Sequence, residues 1–298
     1  AEALDVDEAT LDVDDGLIQS RDTNRSMTYW EIQGDKPFGI EVDLDADIKS
    51  PDSYRLVGNR VAARGIADIV GGTMIYVHDM KMPGMLHARV VRPPHAKATL
   101  NGVDDGALQR AADTGTQVVR DGSFLAVVNA DEYAALKGAE RINAAADWRT
   151  DPGLDARDIF EQLTTNERLS MPLENGVPVE APVPDQPAPP ANAAVTLKAR
   201  FERPYHMHGS IAPSAAMALF DNGELTVWTH SQGVYVLRAS MAGALGMDEE
   251  NITIKHMPGS GCYGHNGADD VAFDAALAAR AIPGKPIMLK WTRDDEHA

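Results

Sequence analysis

Apolar residues along the chain alternate or gather in short runs broken by Gly, Pro, Asn and Asp, and a few stretches repeat at helical spacing. Val13-Asp14-Asp15-Gly16-Leu17-Ile18 sets an Asp-Gly turn between aliphatic flanks and predicts a hairpin. Met74–Val77 and Met85–Val91 predict strands separated by the turn signal Pro83-Gly84. Gln117–Val119 and Phe124–Val128 predict a second pair, joined through Arg120–Ser123. Asp131 is placed to cap a helix running to about Ala146, with Ala135, Leu136, Ala139 and Ile142 three and four apart. Together these predict an α+β module.

A segment with seven prolines between Pro172 and Ala194 follows, and reads as an extended linker. Beyond it, Val195–Phe201 alternates as a strand, and Ala215–Phe220 and Leu225–Thr229 predict two strands joined at Asp221-Asn222-Gly223. A helix is predicted over Val234–Leu245, ended by Gly246. Then come a strand over Asn251–His256, a glycine-rich loop over Pro258–Gly267, a helix from about Asp269 to Ala281, and a strand over Pro286–Trp291. The strands ahead of the glycine loop look meander-like.

Charge changes this picture at one end. The 298 residues carry a formal net charge of −18, which disfavours nucleic-acid partners. Residues 1–50 hold 14 acidic and 4 basic residues, yet Leu4, Val6, Leu11, Tyr29, Trp30, Ile32 and Phe38 are interspersed among them, so this stretch reads as part of a folded unit with a small helix and strands. No apolar run is long enough to span a bilayer, and the acidic start lacks a signal peptide's basic and apolar regions, which leaves a cytoplasmic and a periplasmic setting both open. The single cysteine, Cys262, excludes an intramolecular disulfide and a multi-cysteine zinc site.

The glycine loop is the strongest chemical signal. Gly259, Gly261, Gly264 and Gly267 lie between a strand and a helix, so backbone N–H groups can approach an anionic or oxo-bearing ligand at a helix N-terminus. Gly259-x-Gly261-x-x-Gly264 also matches the dinucleotide fingerprint, but the acid expected about 20 residues on is missing; Asp294 is the first one past the following strand. His206 and His208, two apart on extended chain, could share a face and bind zinc in a metal-dependent hydrolase, although hydrogen-bonded structural roles also suit them. Cys262 beside a helix N-terminus would favour its thiolate, and Gln232 precedes a helix as a surface or capping amide would.

In chain order these segments resemble the large, molybdenum-cofactor-binding subunit of the xanthine dehydrogenase/aldehyde oxidase family, in particular the branch with isoquinoline 1-oxidoreductase and nicotinate dehydrogenase-like enzymes. Tyr54–Gly58, Gly71–Asp79 and Met82–Pro94 resemble the entry to that family's α/β hammerhead domain. His208–Pro213, Val227–Gln232 and Gly259–Gly264 resemble three successive motifs of its molybdopterin-binding domain. The resemblance implies an α+β chain with an upstream segment at 1–50, a hammerhead domain at 51–165, a Pro-rich linker at 166–194 and the first part of a molybdopterin-binding domain at 195–298.

It further implies that Gln232 approaches the molybdenum oxo group and that Gly261, Cys262, Tyr263 and Gly264 line the cofactor. A molybdopterin-type cofactor in its Mo=S form is expected, with no residue of this chain coordinating the metal. The implied reaction hydroxylates an N-heterocycle or oxidises an aldehyde with oxygen from water. The family's general-base glutamate is expected downstream, so no catalytic residue is assigned here and the isolated chain is expected to be inactive. Implied partners are the rest of the large subunit, an iron–sulfur small subunit carrying [2Fe-2S] centres, a cytochrome c as a candidate acceptor, and a small-molecule substrate. The pattern departs from the family at Ala212, where many members have Glu, and at Tyr263-Gly264-His265-Asn266, where Phe-Gly-Gly-Lys is usual. A non-catalytic assembly module is the remaining alternative.

Overall fold

The computed structural model describes all residues except 37, 38, 40, 96, 151–158, 167–170, 183, 184, 186, 265, 266 and 298. Phe38, part of the Pro-rich segment, and His265-Asn266 therefore lie outside the described residues. Contacts divide the chain into two units, residues 1–66 and 67–298.

In the first unit, β1 (Leu11–Asp14), β2 (Leu17–Ser20) and β3 (Ser26–Thr28) form an antiparallel sheet in sequence order. The β1–β2 hairpin turns at Asp15-Gly16, both at positive φ (46° and 79°), the geometry the Asp-Gly pair predicts. Helix α1 (Tyr29–Gln33) opens with a capping box, in which Glu31 N–H donates to Thr28 Oγ1 and Thr28 N–H to Glu31 Oε2. The predicted small helix and strands are thus present, but Leu4 is the only buried hydrophobic residue before position 67 among those described.

The second unit runs from α2 (Ile66–Gly71) through β4 (Leu86–Val90), β5 (Thr99–Val103), α3 (Asp105–Asp113), β6 (Gln117–Asp121), β7 (Phe124–Asn129), α4 (Glu132–Ala145), β8 (Ala146–Arg149) and α5 (Ile159–Thr165). After the two-residue strands β9 (Leu173–Glu174) and β10 (Val177–Pro178) come β11 (Ala215–Asp221), β12 (Glu224–Thr229), α6 (Val234–Leu245), β13 (Ile252–His256), α7 (Ala268–Ala281) and β14 (Ile287–Lys290). Seven strands form one sheet in the order β13-β12-β11-β14-β4-β7-β6. Its halves join where β14 pairs in parallel with β4, Ile287 beside Leu86.

The fold is α+β. β7 is buried on both faces, so it reads as a continuous apolar run. Ala126 and Val128 face the larger core with α6 and α7, whereas Leu125 and Val127 face a second cluster with Ala107, Ala139 and Ile142. Helix α4 begins at Asp131, whose Oδ1 accepts the Ala134 N–H at 2.7 Å, and α6 ends at Gly246 with φ 62°. Two polar knots fasten the junction. Glu132 accepts from Arg89 at 3.0 Å and Lys290 at 3.1 Å. Buried Asp274 accepts from Arg92 at 2.7 Å and from Trp291 Nε1 at 2.9 Å, with the Arg92 guanidinium 4.5 Å over the indole. Burial pushes the Asp274 carboxyl up to about 6, with Arg92 pulling the other way.

Two expectations fail. Met74–Val77 is not a strand: Tyr76 N–H donates to Asp79 Oδ2 and Val77 N–H to Pro258 O, which draws the chain into a 3-10 turn over Val77–Asp79. Val195–Phe201 forms no strand: it has no regular structure and no backbone pairing among the described residues.

Candidate functional site

β12 and β13 are parallel neighbours, with Thr229 opposite His256, and α6 makes the crossover between them. The strands ahead of the glycine loop are therefore not a simple meander. A parallel pair puts both carboxyl ends at one edge of the sheet, the edge where open α/β sheets hold ligands. The β12–α6 turn carries His230, Ser231 and Gln232 to that edge, and the β13–α7 connection carries Gly259–Gly264. In the first turn Ser231 is buried and its Oγ accepts the Gly233 N–H at 3.1 Å, while Gln232 is exposed.

The glycine loop is fixed by its carbonyls and one hydroxyl. Met257 N–H donates to Thr229 O, Val77 N–H to Pro258 O (2.9 Å), Ser210 Oγ to Gly261 O (3.0 Å) and Ser260 Oγ to Ala212 O (2.8 Å). Among the described residues, the backbone N–H groups of Gly259, Ser260, Cys262, Tyr263 and Gly264 have no protein acceptor. A loop held by its acceptors with its donors unspent is suited to an anionic or oxo-bearing ligand.

Glycine is required at two of these positions, Gly259 by close approach and Gly261 by its backbone conformation. A Cβ on Gly259 would fall 2.5 Å from the His230 ring, and one on Gly261 (φ 126°) would fall 2.7 Å from the Tyr263 ring. Tyr263 itself has φ 52°, a left-handed conformation that costs a non-glycine residue about 1 kcal/mol or more. Cys262 Sγ donates to Gly264 O, and Gly264 backs onto His208 Nε2.

Two histidines that sequence reasoning did not single out sit beneath the loop. His230 is 5% exposed, and burial, then the neighbouring His78, push its imidazole down to about 4, so it is neutral at ordinary pH. His78 Nε2 lies 2.6 Å from Pro213 O; a carbonyl accepts, so Nε2 bears the proton and Nδ1 is left as an acceptor. The ring centroids are 6.2 Å apart, and His78 Nδ1 and His230 Nε2 are buried without a partner among the described residues. A cavity of about 470 Å³ opens beside them, lined by Tyr76, His78, Asp79, Ile211, Ala212 and Gly259–Gly261. No periodicity marks either histidine: His230 follows a strand whose inward positions are Leu225, Val227 and Thr229, and is buried because the loop folds over it.

Gln232, Gly261, Cys262, Tyr263 and Gly264 thus come from two adjacent connections at one sheet edge. Among the described residues His206 and His208 gather no third potential metal ligand, and the His206 ring is engaged by Arg203 at 2.9 Å and Pro204 O at 3.2 Å.

Residues 182–298 match the model of the molybdopterin cofactor-binding domain. The chain is 32% identical to one of the subunits of nicotinate dehydrogenase from Pseudomonas putida, an alignment covering 96% of this chain and 24% of that protein. It is 28% identical to the beta chain of isoquinoline 1-oxidoreductase from Brevundimonas diminuta, over 84% of this chain and 32% of that protein. Its fold matches the crystal structure of quinoline 2-oxidoreductase from Pseudomonas putida 86 with a TM-score of 0.58 and 18% identity, covering 80% of this chain and 35% of the other. The chain spans between about a quarter and a third of the length of these relatives.

Proposed function

We propose, from the match of residues 182–298 to the molybdopterin cofactor-binding domain and the likeness to molybdenum-hydroxylase subunits, that the chain holds the molybdenum cofactor of an enzyme that hydroxylates an N-heterocycle or oxidises an aldehyde with water-derived oxygen. The observation that carries this is the set of backbone N–H groups of Gly259, Ser260, Cys262, Tyr263 and Gly264 without a protein acceptor among the described residues, beside the Gln232 turn at the shared carboxyl edge of β12 and β13. The residues present fit the group: a donor-rich cradle with a neutral imidazole, His230, behind it.

When bound, the cofactor supplies the oxidising metal and its oxo and sulfido ligands. Gln232 would offer its carboxamide N–H₂ to the group. Cys262, Tyr263 and Gly264 would offer main-chain N–H groups to it without reorganisation, because the loop carbonyls are already committed. Neutral His230 supports Gly259 without adding a charge that would compete with the donors. Ala212 supplies no carboxylate to orient a basic heterocycle. On this reading the general-base glutamate, a [2Fe-2S] small subunit and a cytochrome c acceptor are expected from other parts of the enzyme.

Metal and pterin analysis of the complete native protein tests the reading; it is expected to find both, and absence of both would favour a non-catalytic assembly role instead. Gln232→Ala in that protein is expected to lower turnover about 100-fold, on the scale of losing one oriented donor, with molybdenum content and fold retained. Unchanged kinetics would remove Gln232 from the site.

A further inference from the structure

Three segments far apart in sequence close into a circuit of hydrogen bonds at the carboxyl edge of β12 and β13: the turn Val77–Asp79, the lead-in to β11 at 210–214, and the glycine loop. The turn holds the stem of the loop, with Val77 N–H donating to Pro258 O at 2.9 Å. The lead-in holds its far side, through Ser210 Oγ to Gly261 O and Ser260 Oγ to Ala212 O. One side chain closes the third side: His78 Nε2 donates to Pro213 O at 2.6 Å, across 135 positions of sequence. The ends of the lead-in have other anchors, Arg293 to Ser210 O at 2.8 Å and Trp291 N–H to Ser214 O at 3.0 Å. His78 therefore sets the middle of the lead-in and is not what attaches it to the fold.

Packing alone does not account for an imidazole here. The carbonyl acceptor puts the proton on Nε2, which leaves Nδ1 as a buried acceptor without a partner among the described residues. Burying an unpaired acceptor works against stability, so an apolar ring would serve the core better. What the imidazole adds is the Nε2 donor. We propose that His78 is a positioning residue of the cofactor site: its Nε2–H fixes Pro213, and through the Ser210 and Ser260 hydroxyls this fixes the direction in which Cys262, Tyr263 and Gly264 present their N–H groups. The inference rests on the reading that this loop holds the molybdenum cofactor.

Two variants of the complete protein separate the donor from the ring. His78→Phe keeps a ring and loses the donor, whereas His78→Gln loses the ring and keeps an N–H₂ for the carbonyl. His78→Phe is expected to lower turnover per bound molybdenum about tenfold, the scale of one hydrogen bond. It should also speed exchange of the Val77 amide, which closes the same circuit, by a similar factor. His78→Gln should restore both, and the β11 amides of Ala215–Asp221, the control of folding, should exchange as in the wild type throughout. Wild-type turnover and exchange in His78→Phe overturn the proposal. Equal damage in both variants also overturns it, by assigning His78 to packing, and so does loss of β11 protection in His78→Phe, by making it a folding residue. Faster Val77 exchange in His78→Phe alone, in a protein that carries no molybdenum, would sink the functional reading and leave the positioning of the loop standing.

Discussion

Helices α6 and α7 contribute to the same core and differ in how much of each is covered. α7 spans β11, β12 and β14, and eight of its 14 residues are buried, six of them alanines that let helix and sheet approach closely. α6 lies mainly on β13; it buries Leu237, Met241, Ala242 and Leu245 and turns Tyr235, Val236, Ala239, Ser240, Gly243 and Ala244 outward. A helix facing water normally sets charge there, but Arg238 is the only charged residue in α6. α7 is finished by the chain's own sheet, whereas α6 has an outer face without the charges of a solvated surface.

The sharpest way to break this comparison is to enlarge a residue where space is exhausted. Ala275→Leu in α7 is expected to cost about 3 kcal/mol in urea unfolding, because a fully buried helix position against a close-packed sheet cannot take the extra methylenes. A loss under about 1 kcal/mol would mean that the α7 seam is loose.

A second, smaller effect is a pH slope. His230 is neutral in the fold with its imidazole lowered to about 4, so between pH 6.5 and 4 the unfolded chain gains a proton that the fold refuses, and stability falls as pH falls. Asp274 in α7 is raised to about 6, so between pH 6 and 3.8 the fold takes up a proton before the unfolded chain does, and its contribution rises as pH falls. In the wild type the two slopes oppose. His230→Phe should remove the first and leave the second, so that stability rises as pH falls from 6.5 to 4.5, whereas in the wild type the two slopes largely cancel. Parallel urea titrations would show this, and an unaltered pH profile would contradict the burial of a neutral His230. The smallest effect is expected on the open helix: Ala239→Lys should change stability by less than about 0.5 kcal/mol. A larger loss would show that the outer face of α6 is already packed.

Local chemistry made much of the fold legible. The Asp15-Gly16 turn, the Asn222-Gly223 turn between β11 and β12, the Asp131 cap and the Gly246 terminus each depend on residues a few positions apart. The β4–β14 pairing was not legible, because strands so distant in sequence leave no mark on each other's patterns. The glycine loop could be read, since close approach requires glycine. His78 and His230 could not, because only tertiary folding brings their rings to 6.2 Å. Met74–Val77 misled because a side-chain cap at Asp79 outcompeted strand propensity.

The position of β14 also dictates an order of events during synthesis. β4, β7 and β6 can pair as soon as Asn129 has emerged, and β11 with β12 once Thr229 has, but the gap between these two pieces is closed only by Ile287–Lys290. At roughly 5–20 residues per second, β4 waits about 10–40 s with one edge open. During that interval the nascent chain presents a bare strand to its neighbours, so its yield in a cell should depend on translation speed and on chaperones that shield the edge.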